Sequence, residues 1–165
     1  MATRAYIGLG SNCGDTHANL EQAVTRIASL PDVAIVHVSS LYLTEPQGFA
    51  DQPWFANQVA ALDLGASWTP QALLGEFLRI ENELGRERDS NCRFGPRTMD
   101  IDLLLFGEAK SEDPYCTLPH PRMLERAFVL VPLCEIAPNL SVSGVGIGRL
   151  LENIKYSIKN NRIYQ

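Results

Sequence analysis

Gly95-Pro96-Arg97-Thr98-Met99-Asp100-Ile101-Asp102-Leu103-Leu104-Leu105-Phe106-Gly107 carries the strongest strand signal in the chain. Side chains alternate between the two faces of a strand. Met99, Ile101, Leu103 and Leu105 are therefore expected to enter a core, with Asp100 and Asp102 side by side on the opposite face. Upstream, residues 86 to 97 read as a polar, arginine-rich loop. Before that loop, Thr69-Pro70 is a helix start, since Thr caps and Pro suits the first helical position. Leu73, Leu74, Phe77, Leu78, Ile80 and Leu84 then give the helix an apolar face, and Gly85 ends it.

Further outward, Phe55 to Leu64 and Val33 to Leu43 read as strands, with a turn or loop at Thr44 to Gly48. Leu20, Ala23, Val24 and Ile27 recur at helical spacing, with Asp15 or Thr16 as cap and Pro31 as stop. Ala5 to Leu9 reads as a first strand closed by a Gly10-Ser11-Asn12 turn. On the other side of the aspartates, residues 107 to 121 look irregular, and Arg122 to Ile136 gives one or two short helices. The residues beyond about 145 are expected to form a solvated end. The order β-α-β-β-α-β predicts an α+β fold, a ferredoxin-like sandwich with an antiparallel sheet, two helices on one face, and additional loops and C-terminal elements. Residues 1–165 are expected to form a single domain.

Composition narrows the class. The chain has 165 residues, 45% hydrophobic and 20% charged, which is ordinary for a globular protein. Its net charge is -5, and a general nucleic-acid binder would carry a basic excess. Eleven of the fourteen basic residues are nevertheless Arg, four of them between positions 86 and 97. Arg suits bidentate grip on phosphate or carboxylate, so a local anion site is expected. No apolar run approaches the roughly 20 residues that span a bilayer, and the N-terminus lacks a signal core. The expectation is a cytoplasmic protein, a monomer, with neither nucleic acid nor membrane as partner. The four cysteines form no Cys-x-x-Cys pair and read as reduced thiols without chemistry.

Three segments bear on function. Asp100 and Asp102 are hard oxygen ligands at a spacing that suits Mg²⁺, which fills its octahedron with water and substrate phosphates. The bland alternative is a solvated face of a half-buried strand. With Arg86, Arg88, Arg93 and Arg97 on the adjoining loop, the parts match phosphoryl transfer. His120, Arg122 and Arg126 lie close together ahead of Phe128, a weak signal alone. Asn57 in an apolar strand, two residues after Phe55, needs a partner if buried. A flat heteroaromatic ligand would use the amide for ring edges and the aromatic for stacking. Gly8-Leu9-Gly10-Ser11-Asn12-Cys13-Gly14 fails as a dinucleotide fingerprint, because the third glycine is one residue too far.

Taken together these segments resemble the 6-hydroxymethyl-7,8-dihydropterin pyrophosphokinase family of folate synthesis, over about residues 4 to 140. The resemblance rests on the Gly-Leu-Gly-Ser-Asn opening, Thr44-Glu45-Pro46 with Gln52-Pro53 and Asn57, and Gly85-Arg86. It rests further on Gly95 to Asp102, Pro119-His120-Pro121-Arg122, Arg126-x-Phe128, and Pro132 to Pro138. It implies transfer of diphosphate from ATP to the pterin hydroxymethyl group, giving AMP. It implies that Asp100 and Asp102 hold two Mg²⁺ ions, and that Arg86 and Arg97 grip phosphates from a mobile loop. Glu81, Thr117, His120 and Arg126 match ATP contacts. Thr44, Glu45, Gln47, Phe55, Asn57, Phe94 and Phe128 match the pterin pocket. Phe94 stands where a Trp often stacks. Leu78 stands where a Gln touching adenine is expected, so contact at that turn must be apolar or come from backbone. The residues alone leave open a ferredoxin-like RNA- or nucleotide-binding module and a two-metal nucleotidyltransferase.

Overall fold

The computed structural model describes residues 2–45, 51, 53–85 and 98–165. Its elements in chain order are β1 (Thr3–Ser11), α1 (Thr16–Ala28), β2 (Val33–Val38), β3 (Tyr42–Thr44), β4 (Phe55–Leu64), α2 (Pro70–Leu84) and β5 (Asp100–Phe106). There follow a 3₁₀ turn (Met123–Glu125), α3 (Ala127–Ile136), β6 (Ser141–Val142), β7 (Val145–Gly146), α4 (Ile147–Glu152), β8 (Ser157–Lys159) and β9 (Arg162–Tyr164). The fold mixes one large sheet with four helices. The sheet runs β5-β1-β4-β3-β9-β8, with β2 beside β3 on the same edge of β4. All of its pairings are antiparallel except β3 with β9.

Local signals set the helices. Asp15 caps α1 by accepting the Ala18 N–H at 3.1 Å, and Thr69 caps α2 by accepting the Ala72 N–H at 3.1 Å. Leu20, Ala23 and Ile27 of α1 and Leu73, Phe77 and Ile80 of α2 pack in one core with Ile7, Leu9, Leu62, Ile101 and Leu103 of the sheet. The opposite face is covered by α3 and α4, where Leu130, Leu133 and Ile147 meet Tyr6, Val59, Leu104 and Leu105. The sheet is thus buried on both sides.

Four expectations change. The first strand does not stop at Leu9: β1 continues through Gly10 and Ser11, since both of its edges are paired, with β4 and with β5. The strand expected over Val33 to Leu43 breaks at residues 39 to 41. Ser39 accepts the Val59 N–H on its hydroxyl at 2.9 Å, and its own N–H donates to the Val59 carbonyl at 2.9 Å. Leu105 does not follow Met99, Ile101 and Leu103. Register slips at Leu104, as Leu103 faces Ile7 while Leu105 faces Tyr6. That bulge turns Leu104 and Leu105 together into the second core, and Phe106 joins the first. The C-terminal stretch is not a solvated end, because β9 enters the sheet beside β3 and buries Ile163 against Tyr42, Ala127 and Val131.

Candidate active site

Cross-strand register brings the predicted residues onto one face. Directly paired residues share a face of a sheet. Asp100 pairs with Gly10, Gly10 with Asn57, and Asn57 with Tyr42. One row further along, Asp102 pairs with Gly8 and Gly8 with Val59. Both aspartates therefore lie on the α3 side of the sheet, half-buried, as their alternation with buried Ile101 and Leu103 predicts. Two strand spacings, about 10 Å, separate Asp100 from Asn57. The strand between them carries glycine, so no side chain rises between the two ends of the row.

At the β5 end, Asp102 lines a cleft of about 230 Å³ with Thr117, His120, Leu74 and Tyr115. Three predicted residues meet there. His120 is fixed by its own N–H, which donates to the Leu104 carbonyl at 2.9 Å, and its Nδ1 accepts the Arg122 N–H at 3.2 Å. Burial, then the cations of Arg126 and Arg122, hold the imidazole below its ordinary pKa against the opposing pull of Asp100. That shift favours the neutral ring, and with Nδ1 accepting a hydrogen bond the neutral ring carries its proton on Nε2. Glu81 is not among the cleft's lining residues; its Oε1 accepts the Ile101 N–H at 2.8 Å, between the two aspartates. Leu74 lines this cleft, whereas Leu78, one turn later in α2, faces solvent.

At the other end, Asn57 is buried and donates from Nδ2 to the Thr44 hydroxyl at 2.7 Å. Phe55 pairs with Thr44 on the same face and is partly buried. Thr44, Glu45 and Phe128 line a narrow crevice together with Ile163 and Gln165. The Arg126 guanidinium sits 5.3 Å from the centre of the Phe128 ring. Both residues stand at the N-terminus of α3, the end of a helix that favours negative charge. Arg86, Arg97, Phe94 and Gln47 lie outside the described residues.

Several contributors escaped the sequence reading. Gly8 and Gly10 form the floor of the site, although the second reads in the sequence as a turn residue. Asn12 is buried and donates to the Pro53 carbonyl at 3.0 Å, anchoring the approach to Phe55. All three belong to the Gly-Leu-Gly-Ser-Asn opening, so the signal is present in the sequence without its meaning. Leu74, Tyr115, Ile163 and Gln165 had no local signal. Among the described residues no three His, Cys, Asp or Glu side chains cluster as metal ligands. Two carboxylates suit a hard ion that draws its other ligands from water and phosphates, and fit poorly a site caged by protein alone.

Carboxylates stand at one end of a glycine-floored row and a crevice with one aromatic ring at the other, an arrangement whose chemistry suits a polyanion at the first and a flat ring at the second. Comparison with known proteins makes this specific. Residues 6–138 match the family model 7,8-dihydro-6-hydroxymethylpterin-pyrophosphokinase. The chain is 46% identical over 152 residues to the 2-amino-4-hydroxy-6-hydroxymethyldihydropteridine pyrophosphokinase of Methylorubrum extorquens, covering 92% of this chain and 94% of that one. It is 48% identical over 136 residues to the protein of the same name from Bacillus subtilis, covering 82% and 79%. Solved structures share the fold at low identity. An HPPK-DHPS in complex with substrates superposes with a TM-score of 0.69 at 14% identity, covering 92% of this chain and 44% of that one. The wild-type Plasmodium falciparum HPPK-DHPS with pterin and p-hydroxybenzoate gives 0.66 at 14%, covering 99% and 48%. The chain thus spans about half the length of those HPPK-DHPS chains. It belongs to the 7,8-dihydro-6-hydroxymethylpterin-pyrophosphokinase family and is an enzyme.

Proposed function

We propose that this chain transfers diphosphate from ATP to the hydroxymethyl group of 6-hydroxymethyl-7,8-dihydropterin, releasing AMP, with Asp100–Gly10–Asn57 as the axis of the site. The observation that carries the reading is that row, with acids and amide facing one side and no side chain between them. Asp100 and Asp102 would hold two Mg²⁺ ions on the triphosphate. Bound there, the metal supplies Lewis-acid polarisation of phosphoryl oxygens and offsets the charge that builds in transfer.

The remaining work falls to the chain's own groups. His120 and Thr117, lining the cleft with Asp102, would bind the nucleotide, with Arg126 at the α3 N-terminus adding a fixed cation. Glu81 would act through β5, holding the backbone between the two aspartates. Thr44, Glu45, Phe55, Asn57 and Phe128 would hold the pterin, the amide on the ring edge and the aromatics on its faces. Arg86, Arg97, Gln47 and Phe94 enter on the family's pattern alone, the arginines gripping phosphates. Orientation across the glycine floor sets the hydroxyl in line with the β-phosphorus, the kind of positioning on which phosphoryl transfer chiefly depends. We read the sheet β5-β1-β4-β2 as the ferredoxin-like core of a single catalytic domain, monomeric and cytoplasmic. Among the described residues no helix is long and apolar enough to cross a membrane.

The test is nucleotide product analysis with ATP, Mg²⁺ and the reduced pterin. AMP is expected, and ADP would overturn the reading. Asp100→Asn and Asp102→Asn should each lower turnover by roughly 10²-fold or more while keeping the native circular dichroism spectrum. Near-normal turnover in both would remove the metal role from these acids.

A further inference from the structure

We propose that the C-terminal hairpin β8–β9 is a clasp that sets the ring-binding crevice, with Gln165 as the positioning residue for Phe128. The inference rests on the reading of Thr44, Phe55, Asn57 and Phe128 as the pterin end. Three separate segments carry those residues, and the hairpin touches all three. It holds the first through β3, where Leu43 pairs with Arg162, Thr44 pairs with Ile163, and the Leu43 N–H donates to the Asn161 carbonyl at 2.9 Å. It holds the second through Trp54, next to Phe55. The Arg162 guanidinium lies 5.4 Å from the Trp54 ring centre, and Tyr164 meets that ring edge-on at 5.5 Å.

The third contact is the most specific. Arg126 is the N-cap residue of α3, but its side chain makes no capping hydrogen bond. Gln165 supplies one from the far end of the chain: its Oε1 accepts the Ala127 N–H at 2.8 Å. Its Nε2 donates to the Glu125 carbonyl at 2.5 Å. One amide thus satisfies a donor and an acceptor on either side of Arg126. A carboxylate can do only the first and an aliphatic side chain neither. That bracket fixes the turn from which Phe128 enters the crevice, and Ile163 and Gln165 themselves line the crevice beside it. The nucleotide cleft is built differently, from β5 and the segment around residues 114 to 121, and neither Ile163 nor Gln165 lines it.

The proposal is tested by calorimetric titration of wild type, Gln165→Ala, Gln165→Glu and Phe128→Ala. One titrant is 6-hydroxymethyl-7,8-dihydropterin, the other a non-hydrolysable ATP analogue with Mg²⁺. Gln165→Ala should weaken pterin binding about 5–10-fold while nucleotide affinity stays within threefold, and Gln165→Glu should fall between Ala and wild type. Gln165 is exposed, so its replacement leaves the core intact. Ile163→Ala, which loosens the same clasp from inside, should show the same selectivity. Unchanged pterin affinity in Gln165→Ala, or equal losses for both ligands, overturns the clasp. If Phe128→Ala leaves pterin binding unchanged, it is instead the placement of the pterin end that fails, whatever the Gln165 variants do.

Discussion

At the scale of single residues, Gly10 is the most constrained position of the site. A Cβ there would lie 3.1 Å from the Asn57 Oδ1 and 3.8 Å from the Phe55 ring. Asn57 has little freedom to retreat, because it is buried and donates to Thr44. Gly10→Ala should therefore raise the KM for pterin about tenfold by turning the Asn57 amide, as steady-state kinetics would show. At Gly8 the same added carbon finds its nearest neighbours at 3.8–3.9 Å, ordinary contact with Leu104 and Asp102. Gly8→Ala should fold with near-native thermal stability, and a large drop in Tm would show that the floor tolerates no carbon at either place. His120 gives a second prediction. Burial and the neighbouring arginines favour its neutral form. Its folded pKa lies below the unfolded value, so the imidazole charges only in more acid solution. An NMR titration of its ring proton in the free protein should give a midpoint below 6.5, and Arg126→Ala should move that midpoint upward. A midpoint above 6.5 would mean that Asp100, not burial, dominates its field.

At the scale of elements, the break between β2 and β3 is held from outside the sheet as well as by Val59 within it. Glu135 of α3 accepts the Ser40 N–H at 2.8 Å, the Ser40 hydroxyl at 3.1 Å and the Tyr42 hydroxyl at 2.6 Å. Burial, then this hydrogen bond to a carboxylate, pushes the Tyr42 phenol up to about 12 from its ordinary 10. The folded state favours the protonated phenol, so its contribution to stability is whole below pH 10 and is lost as pH rises from 10 through about 12. Tyr42→Phe should flatten that part of the stability profile in urea unfolding. Glu135→Ala should cost about 2 kcal/mol at neutral pH, since it strands hydrogen-bonding partners of a charged acceptor. Elements with local causes were legible in the sequence. Phe55–Leu64 reads as a strand and Pro70–Leu84 begins with its own cap, and the structure returns both within those bounds. The break at Ser39 to Leu41, the bulge at Leu104 and the three-residue strands β8 and β9 depend on partners distant in sequence. No local pattern announces them. The site divides in the same way: Asp100, Asp102 and Asn57 stand out as polar residues in apolar strands, whereas Gln165 is an ordinary polar residue until its two backbone partners are known.

At the scale of the molecule, the two ends of the site hang on different parts of the fold, and their stabilities should separate. The cleft with Asp102, Thr117 and His120 is carried by the edge strand β5 and the irregular segment after it. The crevice with Thr44 and Phe128 is carried by β3, β9 and the start of α3, and so by elements drawn from both halves of the chain. A ligand that binds only the folded state stabilises it by about 2.7 kcal/mol at a hundred times its Kd. For a chain of this size that is a rise in Tm of about 5–10 °C. Hydrogen exchange resolves where the gain falls, because local opening is governed by local contacts. Pterin should slow exchange at Leu43, Ile163 and Ala127, whose amides lie on or beside the clasp. A Mg²⁺-nucleotide analogue should slow exchange at Ile101, Cys116, Leu118 and His120 and leave the hairpin unchanged. Uniform protection by either ligand would mean that the sheet responds as one cooperative unit and that β9 has no closer tie to the ring-binding end than β5 has.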